Sequence, residues 1–199
     1  MKPMDWDRLI SSTRQGKYPN ELFVRFVARN YYGVDDRSRV RFLDIGPGVG
    51  ANSWFLAHEG FQVMALDISP SALASLKFRF ERERFFRDQV QFEQANAETW
   101  IYPENHFDCI LDCNTLCHVK NPPMFAIRDA LKKGGKFFSI APTNDTWKER
   151  VMEGKDFCRF NDKFEMLNLL KPFSCAEIRR AEYPDREAQM RSWVIEAGK

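Results

Sequence analysis

Three glycines and two acids, at set distances, carry the chemistry this chain can do. Gly46-Pro47-Gly48-Val49-Gly50 follows the apolar run Phe42-Leu43-Asp44-Ile45 and precedes the helix-like run Asn52-Ser53-Trp54-Phe55-Leu56-Ala57. A second apolar run, Val63-Met64-Ala65-Leu66, ends in Asp67, 21 residues after Gly46. Glycine lets the backbone turn sharply and approach a ligand closely, and the helix start beyond it presents free N–H groups. An acid at the end of the next strand, at this distance, can accept hydrogen bonds from a ribose diol. Together these parts describe a nucleoside site in a βαβ unit.

Asp44 narrows the choice of nucleoside. Gly46-x-Gly48-x-x-Ala51 also satisfies the dinucleotide fingerprint, which tolerates alanine in third place. A carboxylate two residues before the first glycine would repel a pyrophosphate but suits a ligand with an ammonium group. S-adenosylmethionine offers a ribose, an ammonium and a sulfonium, and no phosphate. The wording Leu43-Asp44-Ile45-Gly46-Pro47-Gly48-Val49-Gly50-Ala51-Asn52-Ser53, followed by Gly60-Phe61-x-Val63-x-Ala65-Leu66-Asp67, resembles the small-molecule branch of the class I S-adenosylmethionine-dependent methyltransferases over roughly residues 40–142. The nicotinamide-dependent reductase reading keeps Gly46, Gly48, Ala51 and Asp67 and leaves Asp44 without a role.

The resemblance implies a set of cofactor contacts. Gly46, Pro47, Gly48 and Gly50 line the methionine moiety, with Asn52 at the helix start. Asp44 reaches the amino group or ties down the glycine turn. Asp67 takes the ribose hydroxyls, and Ile68 covers one adenine face. In the loop Gln94-Ala95-Asn96-Ala97-Glu98, Asn96 stands where the family often has an acid, and its amide oxygen can accept from the adenine amino group. The Ala97 N–H meets a ring nitrogen. Trp100 and Tyr102 either pack over the adenine or belong to the core. Asp112 and Cys113 close a further strand beside the transferred methyl group. His118 falls in the l-x-H-v pattern of small-molecule members, where it serves as general base on the acceptor or packs the loop. The product is S-adenosylhomocysteine. A non-catalytic cofactor-binding protein would carry the same cofactor residues.

Two features compete with this reading. Asn121-Pro122-Pro123-Met124 resembles the N-P-P-aromatic signature of nitrogen-specific enzymes, but it starts nine residues after Asp112 and ends in methionine. Helix capping explains it, and with His118 this favours an oxygen acceptor over nitrogen. Cys109, Cys113 and Cys117 follow C-x3-C-x3-C, which matches neither radical-enzyme nor usual zinc spacing, so no metal is expected.

The positioning elements alternate. The pattern predicts strands at Arg41–Ile45, Gln62–Asp67, Val90–Glu93, Phe107–Asp112 and Lys136–Ala141. Helices are predicted at Ala51–Glu59, from Ser69-Pro70 to about Phe86, and from Asn121-Pro122 to Lys132. A helix over about Asp162–Leu170 and two strands, Ser174–Tyr183 and Met190–Ala197, follow; their four-residue join is too short for a crossover helix. This is an α/β chain: a Rossmann-like, seven-stranded, mostly parallel sheet with a C-terminal antiparallel hairpin and helices on both faces.

The expected organisation is one domain over 1–199: a helical cap (1–40), a cofactor core (41–141), and a substrate-side segment with the hairpin (142–199). The cap holds Trp6, Leu9 and Ile10 on one helical face. Asn20 caps a second helix, carrying Phe23, Val24, Phe26, Val27 and Tyr31, that ends at Gly33. With no separate substrate domain, the acceptor pocket draws on Trp6, Tyr18, Phe23, Trp147, Phe157, Phe160 and Phe164, which suit a small, partly apolar acceptor. Tyr18-Pro19 is placed to act as a lid.

Composition excludes other classes. The chain has 199 residues, 44% of them hydrophobic and 29% charged, with a net charge of +2. That balance disfavours a nucleic-acid partner. Arg79, Arg82, Arg84 and Arg87 are interleaved with Glu81, Glu83 and Asp88 and read as a solvated face. No apolar run is long enough to span a bilayer, and the N-terminus lacks the apolar stretch of a secretory signal. A cytoplasmic location is expected. Oligomeric state has no signature here.

Overall fold

Strand β1 (Arg41–Ile45) is buried at every residue after the first, as a strand covered on both faces must be. The computed structural model describes residues 6–12, 16–82, 89–145, 158, 161–185 and 188–199. Around β1 lie β2 (Gln62–Asp67), β3 (Val90–Gln94), β4 (Phe107–Cys113), β5 (Leu131–Pro142), β6 (Cys175–Asp185) and β7 (Ala188–Gly198). They form a seven-stranded sheet in the order β3-β2-β1-β4-β5-β7-β6. The first five are parallel, and β7 runs antiparallel to both β5 and β6. Strand order therefore reverses at β1, with β2 on one side and β4 on the other. The crevice outside the carboxyl ends of β1 and β4 is where such sheets bind ligands.

Alternation along β1 sends Phe42 to one face and Leu43 and Ile45 to the other. On the first face, α2 (Glu21–Tyr31) packs Phe23, Phe26, Val27 and Tyr31. α3 (Ala51–His58) adds Phe55 and Leu56, and α4 (Pro70–Arg82) adds Leu76 and Phe80. On the second, α5 (Met124–Ala130) and α6 (Lys163–Leu169) contribute Met124, Ile127 and Met166. Phe23 therefore belongs to the core and is lost to the acceptor pocket. Phe164 and Tyr18 face solvent, 72% and 87% exposed. Trp147, Phe157 and Phe160 lie outside the described residues, as do Arg84, Arg87, Glu83 and Asp88; of Leu9 only the backbone is described.

Local capping explains the helix starts. Asn20 accepts the Leu22 N–H at 2.9 Å, and Ser69 Oγ accepts the Ala72 N–H at 3.1 Å, both as expected. Asp162 and Glu165 form a reciprocal capping box at α6. Asn121 does not cap. Pro123 takes the N-cap position without a side-chain bond, and α5 starts only at Met124. The second proline has no N–H, so the Asn121 amide instead donates to Glu98 Oε1 at 2.7 Å. Strand β5 also begins earlier than expected. Gly134, at φ +77°, lies within it, where pairing with β4 shifts register between Phe107↔Leu131 and Cys109↔Lys136. Gly135 follows at the same step.

α1 (Trp6–Ser12) lies across the start of α4. Asp7 Oδ1 accepts the Ser71 N–H at 2.8 Å and the Ser69 hydroxyl at 2.9 Å, which hold its carboxyl below the usual range. The loop before α2 is tied to α3 through the Asn20 N–H, which donates to Asn52 Oδ1 at 3.2 Å. Both cap elements thereby meet the glycine turn.

Gly50 fixes how α3 leaves that turn. It is left-handed, at φ +81°, and a Cβ there would stand 1.8 Å from Leu76 Cδ1 of α4. Substituting Gly50→Ala is expected to cost about 2 kcal/mol or more, through backbone strain and overpacking. Urea denaturation should show the midpoint falling with an unchanged slope.

Candidate active site

The turn after β1 is built from glycines with different tasks. Gly46, at φ +67°, donates to the Leu66 carbonyl at 2.8 Å; a Cβ on it would fall 2.1 Å from Thr115 Oγ1. Thr115 in turn donates from Oγ1 to the Gly46 carbonyl at 3.3 Å. Gly46 and Gly50 are thus required by packing. Gly48 differs. A Cβ there would meet only Ile10 Cδ1 of α1, at 3.9 Å. Gly48 is therefore the glycine of this turn with the most room beside it, on the side of α1.

Three acids lie close together near this turn. Asp44 is buried and accepts the Ser53 hydroxyl at 2.6 Å. Burial pushes its carboxyl up to about 7, against the Ser53 bond, and the charges of Asp67 and Asp112 push the same way. Asp67 accepts the Gly48 N–H at 3.2 Å and the Ser69 N–H at 2.9 Å, linking the two ends of the nucleoside motif. Its carboxyl is also raised by burial, with those N–H bonds opposing. Asp112 accepts from the Thr115 and Leu116 N–H groups, each at 2.9 Å, and from Ser139 Oγ at 2.6 Å. Its carboxylate is engaged in shaping the loop after β4, so its part in the site runs through that loop. Three like charges in one crevice favour a cation.

The remaining expected residues divide. Ile68 is half exposed at the end of β2, available to a flat ligand. Asn52 lies at the start of α3, between the Asn20 N–H and the Cys113 thiol. Burial, with the charges of Asp44 and Asp112, drives Cys113 well above the usual thiol range. In the loop after β3, Asn96 Oδ1 already accepts the Glu98 N–H at 2.9 Å, an Asx turn that presents the loop. The Ala97 carbonyl accepts from the Tyr102 hydroxyl at 2.9 Å, and Glu98 holds Asn121. Tyr102 is core; Trp100 stands edge-on to it, with centroids 4.8 Å apart. His118 ends the short 3-10 helix Leu116–His118, and its ring meets Trp6 edge-on at 4.7 Å.

The three cysteines of the C-x3-C-x3-C run do not converge. Cys109 is in the core beside Tyr31, Cys113 faces Asn52, and Cys117 meets Cys158. Sequence reading missed Ser53, Thr115, Asp7 and Cys158. The first three are common capping types whose role depends on which loop folds over them. The last is paired across the fold.

The comparisons with known proteins follow this geometry. A family model described as a methyltransferase domain matches residues 13–186. The chain belongs to the class I S-adenosylmethionine-dependent methyltransferases. Phosphoethanolamine N-methyltransferase 1 of Zea mays is 31% identical over 99 residues, 48% of this chain and 19% of that protein. The chain thus spans about a fifth of that relative's length. The ubiquinone/menaquinone biosynthesis C-methyltransferase UbiE of Pseudomonas putida is 31% identical over 173 residues, 81% of this chain and 66% of the relative. A solved S-adenosylmethionine-dependent methyltransferase from Methanosarcina mazei superposes with a TM-score of 0.71 at 18% identity, covering 92% of this chain and 98% of its own. Membership of this family also sets aside the nicotinamide reading, and the terminal hairpin is part of this methyltransferase's sheet.

The residues present fit the family's cofactor. The glycine turn leaves room beside Gly48, a buried carboxyl stands near the end of β1, and Asp67 stands at the end of β2.

Burying Asp44 costs stability in a pH-dependent way. Its folded value, about 7, lies above the unfolded value near 3.9, so the unfolded chain gives up the proton first. Stability is therefore expected to fall as pH rises from about 4 to about 7. Asp44→Asn keeps an acceptor for Ser53 and removes the charge. It should raise the melting temperature at pH 8 and change it little at pH 4, at about 1.4 kcal/mol per unit of displacement.

Proposed function

We propose that this methyltransferase transfers a methyl group from S-adenosylmethionine to a small-molecule acceptor held at the carboxyl ends of β1, β2 and β4. The observation that carries this reading is the room beside Gly48 in a turn whose Gly48 N–H is held by Asp67, with the buried Asp44 close by.

Asp67 accepts from the ribose hydroxyls, and Asp44 faces the methionine ammonium, which stabilises its charged form. Gly46, Pro47, Gly48 and Gly50 line the methionine moiety, with Asn52 and the Cys113 backbone beside it. Ile68 covers one face of the adenine, and the loop Asn96-Ala97-Glu98 meets its edge. Asp112 positions the loop after β4 through Thr115 and Leu116. When bound, the cofactor supplies a methyl group on an electrophilic sulfonium. The protein's share is then to hold the acceptor in line and exclude water.

In this reading His118, whose ring stands edge-on to Trp6, deprotonates a hydroxyl acceptor. This supports oxygen as the accepting atom. The names of the relatives point to nitrogen and carbon instead, so the acceptor screen must include all three. Five free cysteines support a reducing, cytoplasmic setting, and no helix among the described residues is long and apolar enough to cross a membrane. A single catalytic domain without a nucleic-acid partner belongs to the same reading.

Calorimetric titration with S-adenosylhomocysteine, with NADH and NADPH as controls, tests it. Only the first should bind, and Asp67→Ala should abolish binding. Affinity should rise between pH 6 and pH 8 as Asp44 ionises, and Asp44→Asn should flatten that rise and bind more weakly. Binding of the product with no turnover of any acceptor class would favour a non-catalytic cofactor-binding protein.

A further inference from the structure

Cys158 enters the site from a part of the chain no local motif connects to it. It stands between β5 and α6, about forty residues beyond His118, and it is half-buried. Cys117, buried, and His118, half-buried, are adjacent at the end of the 3-10 helix. The ligating atoms of these three side chains all lie within 4.8 Å of one another. Two thiolates on one tetrahedral zinc, each about 2.3 Å from the ion, stand about 3.8 Å apart. The set therefore needs to close by no more than about 1 Å to hold an ion.

We propose that Cys117, His118 and Cys158 form a binding site for a thiophilic divalent cation of the zinc type, with a fourth position left to solvent. Two sulfurs and one imidazole, with no carboxylate, select zinc over magnesium or calcium. Two thiolates neutralise a dication, so the loaded site carries no net charge into its apolar surroundings. Those surroundings are built: Leu116, Met124 and Met166 line one pocket with Cys117, and the Trp6 ring meets the His118 ring edge-on. Asp112 adds negative charge near Cys117 while its oxygens stay committed to Thr115, Leu116 and Ser139. Three protein ligands and one open position is the arrangement of a site that can exchange its fourth ligand. The site lies beside the expected acceptor position. With the ion bound, His118 is a ligand, and it serves as a base only in the metal-free protein.

The test is cobalt substitution in the full chain. Protein freed of metal by a chelator and kept reduced with a phosphine is titrated with Co²⁺, then with Zn²⁺. One Co²⁺ per chain should bring near-ultraviolet thiolate charge-transfer bands and the visible bands of a tetrahedral ion, and Zn²⁺ should displace both. Cys158→Ser and Cys117→Ser should lose the charge-transfer intensity and about tenfold or more in affinity, since even residues behind a ligand matter that much. Cys175→Ser, in an exposed cysteine at the start of β6, should keep both. Zn²⁺ should also raise the melting temperature of the wild type and not of Cys158→Ser. Retained S-adenosylhomocysteine binding by Cys158→Ser would show that variant folded. Weak octahedral absorption alone, or full bands in folded Cys158→Ser, overturns the proposal. So does a Cys117–Cys158 disulfide that, once reduced, takes up no ion. None of these outcomes bears on cofactor binding, which the calorimetry judges separately.

Discussion

A carboxyl buried at the end of β1 is the constraint on which the rest of the site depends. Asp44 has left water, faces the charges of two other acids, and holds one hydroxyl, that of Ser53. A group in that state is expensive unless a cation arrives to meet it. The sheet makes the arrangement unavoidable. Parallel strands whose order reverses at β1 bring the ends of β1, β2 and β4 together, and each carries an acid at its last or last-but-one residue.

The glycine turn answers the same constraint in backbone terms. Gly46 lets Thr115 close over the turn, and Gly50 lets Leu76 of α4 pack against it. Those two contacts lock the turn between neighbouring elements, which leaves Gly48 as the glycine with room beside it. Asp67 then ties the turn to the start of α4, accepting from Gly48 and Ser69 together. Opposite them, α1 is held by Asp7 on the same helix start. The roof over the turn is thus fastened by hydrogen bonds to the floor's own capping groups.

Stability and function pull in opposite directions at this crevice. The like charges that ready it for a cation are a standing cost to the fold, offset by two apolar layers of aromatic and aliphatic side chains. The loop after β4 meets the cost differently. Asp112 satisfies its oxygens with three donors and so converts a buried charge into a scaffold for Thr115, Leu116 and the histidine beyond them.

Much of this was legible in the sequence, because short-range pattern dictates it. Period and turn residues set β1, β2, α3 and the terminal hairpin to within a residue or two, and Asp44 beside the spacing of Gly46, Gly48 and Asp67 pointed to the cofactor class. What was illegible depended on partners far along the chain. Asn121 reads as a cap until Pro123 displaces it and Glu98 claims its amide. Phe23 reads as a pocket aromatic until α2 turns it into the core. The three donors around Asp112 come from the loop after β4 and from β5, which no local pattern announces. The cysteine run reads as one cluster, yet a strand sends Cys109 into the core while the loop beyond sends Cys113 and Cys117 to different neighbours. Sequence determined the local geometry and the chemical types, because those follow from backbone sterics and period. Only the tertiary structure decided which polar group is already satisfied and which still waits for a partner, because satisfaction is a property of contacts between distant segments.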